Sequence, residues 1–292
     1  MKARSVRIGL VQHACSDNLD ENIAKASSGV RDAAARGATV VCLPELFGSR
    51  YFCQVQDPKY FELAEPSDGR TVTSMEQLAK ELGVTILAGF FEYRAPGLCH
   101  NSLAVLGPAG KLGLYRKMHI PQDPQFEEKF YFTPGDTGFM AIEAPDCVVG
   151  PLICWDQWYP EAARLTAMQG AEVLFYPTAI GWMPEEKAEH GENQRSAWQT
   201  IQRAHAIANG VFTVSVNRVG VETSPAGEIE FWGHSFVCAP SGEVIAQAGL
   251  GEEVLVVDCD LAQLHDTRRI WPFLRDRRID AYDSLTRRWG RQ

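Results

Sequence analysis

The 292-residue chain has no paired-cysteine motif, no apolar run of membrane-spanning length and no excess of positive charge. Its eight cysteines, at 15, 42, 53, 99, 147, 154, 238 and 259, include no CxxC and keep no regular spacing. That pattern speaks against both a zinc ribbon and a disulfide framework, so reduced thiols and no metal centre are expected. The opening MKARSVRIGLVQ is too short in apolar residues for a signal peptide, and no later run approaches ~20 residues. A soluble, cytoplasmic protein without membrane contact is expected. A net charge of −9 disfavours general nucleic-acid binding and leaves cationic small molecules as the easier partners. Low-complexity tracts and Gly/Ser linkers are missing as well, so nothing divides residues 1–292 and one domain is expected. Positive charge is concentrated from about residue 268 onward, where eight arginines from Arg268 to Arg291 read as a solvated or subunit-contacting tail.

What is present is a 45% hydrophobic chain whose apolar residues switch between strand and helix periods. Strands are expected at 6–11, 39–43, 84–93 and 148–153, and helices at 20–36, 72–82, after Pro160 and up to Gly210. On the helix after Pro160, Ala162, Ala163, Leu165 and Met168 fall at helical spacing. Residues 101–106 and 112–116, joined through Gly107, Pro108 and Gly110, carry a hairpin signal, and further hairpin strands follow Gly210 before a last helix at 261–270. Alternation first and hairpins later imply an α/β fold with a mixed sheet or two packed sheets. Two irregular segments, 47–69 and 118–138, are rich in aromatics and are expected to wall a pocket. Strands that stop at Pro44 and at Pro177 hint at two similar halves.

Three strand ends carry reactive groups: Glu45 after 39–43, Lys117 after 112–116 and Cys154 after 148–153. Each has an ordinary reading: a loop carboxylate, a solvated lysine, a small buried hydrophobe. Together they make an acyl-transfer set, in which a thiolate attacks a carbonyl, a carboxylate moves protons and a fixed cation with backbone N–H groups holds the oxyanion.

LPELF around Glu45, YRKMHIP around Lys117 and ICWDQWYPEAAR around Cys154 resemble, in order and spacing, the three motifs of the nitrilase (carbon-nitrogen hydrolase) superfamily, over about residues 6–282. The resemblance implies a four-layer α-β-β-α sandwich of two packed mixed sheets that forms a homodimer or a larger homo-oligomer. It implies Glu45 as general base, Lys117 as stabiliser of the tetrahedral intermediate and Cys154 as nucleophile, with no metal or organic cofactor. Glu128, in EKFYFTPGD, matches the second glutamate of the amidase branches, and Trp155 would lend its backbone N–H to the oxyanion. YFCQ, EKFYFTPGDTGF, CWDQWYPEAAR, FYPTAIG and RDRR look most like the branch that hydrolyses N-carbamoylputrescine to putrescine, carbon dioxide and ammonia. Tyr51, Trp155, Asp156, Thr178, Ala179 and Glu185 are the substrate-binding residues this likeness implies.

Relatives that cleave N-carbamoyl amino acids resemble one another in an arginine shortly after the cysteine; here Asp156 and Gln157 stand there. With Glu128 and with Glu185 or Glu186 nearby, an acidic pocket would favour a cationic carbamoyl amine. After TAIG the chain departs from many relatives with Trp182, Met183 and Pro184, which changes the pocket edge. The same triad acting on N-carbamoyl-β-alanine, an ω-amide or a nitrile is the alternative. A silent binding or assembly protein would show a lost triad position, and none is lost. His119 reads as a loop residue near Lys117, and His205 as packing or interface.

Overall fold

The structure, a computed structural model, describes residues 4–290, so Arg291 of the basic tail lies outside the described residues. In chain order the first half holds β1 (Ser5–Gln12), α1 (Leu19–Ala35), β2 (Val40–Cys42), α2 (Arg70–Leu82), β3 (Thr85–Ala95), β4 (Leu98–Gly107) and β5 (Gly110–Arg116). The second holds α3 (Glu128–Tyr131), β6 (Ile142–Glu143), β7 (Val148–Pro151), α4 (Pro160–Met168), β8 (Val173–Pro177), β9 (Gly181–Trp182) and α5 (Pro184–Asn209). It continues through β10 (Phe212–Val216), β11 (Val221–Ser224), β12 (Gly227–Phe231), β13 (Phe236–Cys238), β14 (Val244–Gln247), β15 (Glu253–Asp260) and α6 (Ala262–Ile270).

Two six-stranded sheets result, ordered β15-β1-β2-β3-β4-β5 and β14-β13-β10-β8-β7-β6. In each, a parallel trio (β1, β2, β3 or β7, β8, β10) is flanked on both sides by antiparallel strands. The hint of two similar halves is therefore real at the level of topology. Residues of both inner faces, among them Ile8, Leu10, Leu87 and Leu103 from one sheet and Val149, Val173, Phe175 and Val214 from the other, form one buried core. The opposite face of the first sheet is covered by α1 and α2 through Ala26, Val30, Ala33, Val72, Met75 and Leu78. Trp198 and Ala206 of α5 pack with Phe236 and Cys238 on the outer face of the second. The layers are α-β-β-α, as the motifs implied.

The local causes are ordinary. Asn18 caps α1 by accepting from the amides of Asp20 and Glu21, and Gly83, in the left-handed region, ends α2. The helix after Pro160 buries Ala162, Ala163, Thr166 and Ala167, whereas Leu165 and Met168 face outward. Small residues let α4 lie close to its sheet, so the expected apolar face is rotated away from its two largest members. The 118–138 segment contains the single turn α3, and the short strands β6, β9 and β11 carry too few residues for a period to be read.

Candidate active site

Glu45, Lys117 and Cys154 leave the ends of β2, β5 and β7, and the structure brings the three together. The Lys117 ammonium donates to Glu45 Oε1 at 2.7 Å and to Glu128 Oε1 and Oε2 at 3.0 and 2.7 Å. Asn101 of β4 donates to the same Glu45 oxygen at 2.8 Å, and the Tyr51 hydroxyl donates to Glu128 at 2.7 Å. Every member is buried. Among the described residues Glu45 Oε2, unlike the other carboxylate oxygens of this cluster, has no hydrogen-bond partner and is its free acceptor.

The backbone under these groups is built for close approach. A Cβ on Gly89 of β3 would stand 3.1 Å from the Leu46 nitrogen and 3.4 Å from Glu45 Cα, so glycine there lets the turn after β2 settle on the sheet. Gly135 donates its N–H to the Lys117 carbonyl at 2.8 Å, and a side chain on it would collide with the Arg116 carbonyl. That contact explains the tight PGD turn after Glu128.

Cys154 has φ +40°, a left-handed conformation that a non-glycine residue holds only when its surroundings impose it. Asp156 imposes it. One carboxylate oxygen accepts from the Ile153 amide at 3.0 Å and from the Tyr115 hydroxyl at 2.8 Å; the other accepts from the His119 amide at 3.0 Å and stands 2.7 Å from His119 Nδ1. The expected helix start is a 3-10 turn, Cys154–Trp158, ahead of α4. Burial pushes the Cys154 thiol well above its ordinary range; the charges of Glu45 and Glu128 add to this, while Lys117 and a hydrogen bond from the Ala179 backbone oppose it. Lys117 is held well above its ordinary value: burial opposes its charge, but Glu128, Glu45 and Cys154 outweigh that. Burial also raises Glu128, against the pull of Lys117 and with help from the Glu45 charge.

Cys154 and Glu128 open into a cavity of about 330 Å³. Trp155, Trp158, Trp232, Ile180 and Met183 supply its apolar lining, and Asp123 and Glu186 supply charge. Among the described residues no lysine or arginine lines it.

The expected substrate contacts divide. Trp155 and Ala179 line the cavity; Tyr51, Asp156, Thr178 and Glu185 do not. Tyr51 is turned to Glu128, and Thr178 spends its hydroxyl on the Tyr176 carbonyl. Asp156 is consumed by its four partners and is absent from the wall, so the acidity expected from it never reaches the substrate space. Glu185 is exposed, and its neighbour Glu186 faces the cavity, because one step along a helix turns a side chain by about 100°. The aromatic loop 47–69 contributes no residue to this cavity and instead walls two others, through Ser49, Phe52 and Leu63. Its Tyr51, Phe52 and Cys53 join Phe91, Tyr131 and Phe132 in a cluster behind Glu128, whereas the 118–138 segment does form a wall, through Pro121, Asp123, Pro124 and Phe126. His119 stacks on Tyr159 with ring centroids 3.7 Å apart, and His205 is buried against the Gln157 carbonyl. Asn101, Trp158 and Trp232 belong to the site without having been expected there. Only Asn101, whose carbonyl in β4 accepts from the Lys117 N–H at 2.9 Å across the expected hairpin, has a position from which its role could be read. Among the described residues no group of three or more His, Cys, Asp or Glu is arranged to hold a metal ion, and no helix is long and apolar enough to cross a membrane.

Comparison with known proteins agrees with this geometry. The model of the carbon-nitrogen hydrolase family matches residues 7–269. An N-carbamoylputrescine amidase of Solanum tuberosum is 46% identical over 291 residues, covering 97% of this chain and 96% of its own. A citrullinase of Francisella tularensis is 38% identical, covering 98% of this chain and 99% of its own. The crystal structure of a carbon-nitrogen hydrolase from Helicobacter pylori superposes with a TM-score of 0.95 at 44% identity, over 98% of this chain and all of that one.

Proposed function

The chain belongs to the carbon-nitrogen hydrolase family, and from that premise we propose that it hydrolyses the ureido C–N bond of N-carbamoylputrescine to putrescine, carbon dioxide and ammonia. The observation that carries the choice of substrate is the wall of the cavity beyond Cys154, which is aromatic and acidic and, among the described residues, has no basic side chain. Such a wall suits an alkyl chain ending in an ammonium and offers no partner to a carboxylate. The similarity to N-carbamoylputrescine amidases supports the same choice.

In this reading Glu45 takes the thiol proton through its free Oε2, and Cys154 Sγ attacks the carbamoyl carbon. The oxyanion is stabilised by Lys117 and the Trp155 backbone N–H, each such donor contributing roughly 10²- to 10³-fold. Glu45 returns the proton to the departing nitrogen, leaving a thiocarbamate on Cys154. Glu45 then activates water, which releases the thiol and a carbamic acid that loses carbon dioxide. No cofactor is needed. Glu128 and Tyr51 hold Lys117 in place. Asp123 and Glu186 meet the distal ammonium.

One catalytic domain, a cytoplasmic location and a homodimer or larger homo-oligomer complete the proposal. Eight free cysteines without a disulfide support the compartment. Exposed Leu165, Met168, Ile270, Trp271 and Leu285 on α4 and the C-terminal segment support the subunit contact. The alternative, the same triad on N-carbamoyl-β-alanine, an ω-amide or a nitrile, keeps the chemistry and changes only the distal contacts. Ammonia release from N-carbamoylputrescine and from N-carbamoyl-β-alanine, with Cys154→Ala protein as blank, decides between them. A preference for the second compound sinks the cationic-substrate reading.

A further inference from the structure

Behind the turn that carries Glu45 lies a buried ion pair that the reaction itself does not use. Arg218, directly after β10, is fully buried, and Glu222 of β11 is nearly so. All five guanidinium N–H donors are engaged. Nε and Nη2 donate to the Glu45 carbonyl at 3.2 and 2.9 Å, Nη2 also to the Leu46 carbonyl, and Nη1 to the Ser49 carbonyl at 2.9 Å and Glu222 at 3.2 Å. The other Glu222 oxygen accepts from the Tyr51 amide at 2.6 Å. The pair thus grips the chain from Glu45 to Tyr51 by five hydrogen bonds to four backbone groups. Leu46, in the middle of that stretch, has φ +49°, a strained conformation for a leucine, and the carbonyls of Glu45 and Leu46 face inward to the guanidinium. Arg218 also lies over the Phe231 ring, 5.8 Å from its centroid, and that ring meets Tyr51 edge-on.

We propose that Arg218, with Glu222, is the positioning residue of this site: it sets Glu45 against Cys154 directly and sets Glu128 against Lys117 through Tyr51. The inference rests on the reading that Glu45 serves the Cys154 thiol. It also says why a second-sheet residue must reach across to a first-sheet loop. Glu45 leaves β2 and Cys154 leaves β7, in different sheets, so their separation depends on how the sheets are tied at this end. Arg218 leaves β10, in the sheet of Cys154, and holds the backbone of Glu45, so it converts the packing of two sheets into one fixed distance. A lysine has three donors on a point charge and cannot reproduce the planar five-bond pattern.

The test uses the whole protein as wild type, Arg218→Lys and Glu222→Gln, with kcat and KM for N-carbamoylputrescine normalised to folded protein, and hydrogen exchange of the peptide covering 45–51. A displacement of about 1 Å in a catalytic base costs roughly 10²-fold in turnover, so Arg218→Lys is expected to lose about that in kcat with KM nearly unchanged. Glu222→Gln, which keeps an acceptor for the Tyr51 amide, is expected to lose about 10-fold. Exchange of 45–51 is expected to rise at least 10-fold in Arg218→Lys while the sheet strands stay protected. A kcat per folded molecule within twofold of wild type, or a loss confined to KM, overturns the proposal. Should Arg218→Lys fail to fold, Glu222→Gln is read by the same two criteria. Wild-type protein inert on N-carbamoylputrescine would refute the substrate and not the brace, which the exchange of 45–51 then decides: unchanged exchange in Arg218→Lys overturns it.

Discussion

Replacing Glu128 by glutamine probes the proposed machinery at its most sensitive point. The buried cluster sets two carboxylates, Glu45 and Glu128, against the single ammonium of Lys117. Glutamine has nearly the shape of glutamate, keeps one acceptor and replaces the other oxygen with an N–H₂ group. Of the two contacts to the Lys117 ammonium at 3.0 and 2.7 Å, one becomes donor against donor. Lys117 is then held chiefly by Glu45, which ties up the base and draws the cation from the oxyanion. A charge-assisted hydrogen bond contributes about 1.5–3 kcal/mol, so turnover is expected to fall about 10- to 150-fold, in kcat more than in KM. Stability moves the other way with pH. Burial raises the Glu128 titration above the ordinary carboxylate value of 4.5, so the folded chain binds that proton more tightly than the unfolded one. Stability therefore declines as pH climbs from ~4.5 through the raised value and is level above it. The glutamine variant lacks this decline, so its stability relative to wild type should improve across that window. Ammonia-release kinetics and urea titrations at a series of pH values measure both. A kcat within twofold of wild type, or a stability difference independent of pH, would refute the charge accounting.

Cys154→Ala should abolish turnover with a thermal midpoint nearly unchanged, because it removes one sulfur atom at the cavity wall and keeps the Cβ; continued ammonia release would remove it as nucleophile. Glu186→Gln should raise KM for N-carbamoylputrescine roughly 5-fold at constant kcat, since a half-exposed ion pair contributes about 1 kcal/mol; an unchanged KM would move the ammonium site to Asp123. His13 is buried beside the Ala14 carbonyl, and burial lowers its titration from 6.5 to about 4. The unfolded chain binds more protons between those values, so wild type should lose stability as pH falls from ~6.5 to about 4. His13→Asn should flatten that part of the curve, and an identical curve would mean that His13 is already protonated in the fold.

The strand ends were legible because each obeys a one-dimensional rule. An apolar run of strand length followed by Pro44-Glu45, or by Cys154 and then Pro160, locates a residue at the rim of a sheet without knowledge of what lies opposite. Side-chain direction at the rim does not follow such a rule. Asp156, two residues beyond the thiol, was expected to face the substrate, yet the positive φ of Cys154 turns the chain and sends the carboxylate into the core, where Tyr115, His119 and Ile153 meet it. Glu185 and Glu186 were indistinguishable until the start of α5 fixed the helix phase. The aromatic loop 47–69 was rightly seen as unusual, but its rings pack on β3 and α3 and brace Glu128 from behind.

Contacts between stretches far apart in the chain were the least legible. Asn101, Tyr51 and Arg218 come from three distant stretches, and each matters through a bond to Glu45 or Glu128 that no local pattern announces. The shared topology of the sheets supplies the reason. Each parallel trio ends at the same rim, so β2, β7, β8 and β10 deliver Glu45, Cys154, Ala179 and Arg218 to one place, while the antiparallel strands β4 and β5 bring Asn101 and Lys117 beside them. A duplicated arrangement gives two rims that must be registered against each other, and a polar residue at the rim is free to serve either chemistry or registration. In the proposed reading Glu45 does both: its carboxylate meets Lys117 and its backbone carbonyl meets Arg218. Substitution of its side chain should therefore remove activity while leaving the Arg218 contacts intact, whereas substitution of Arg218 should disturb the carboxylate without touching it.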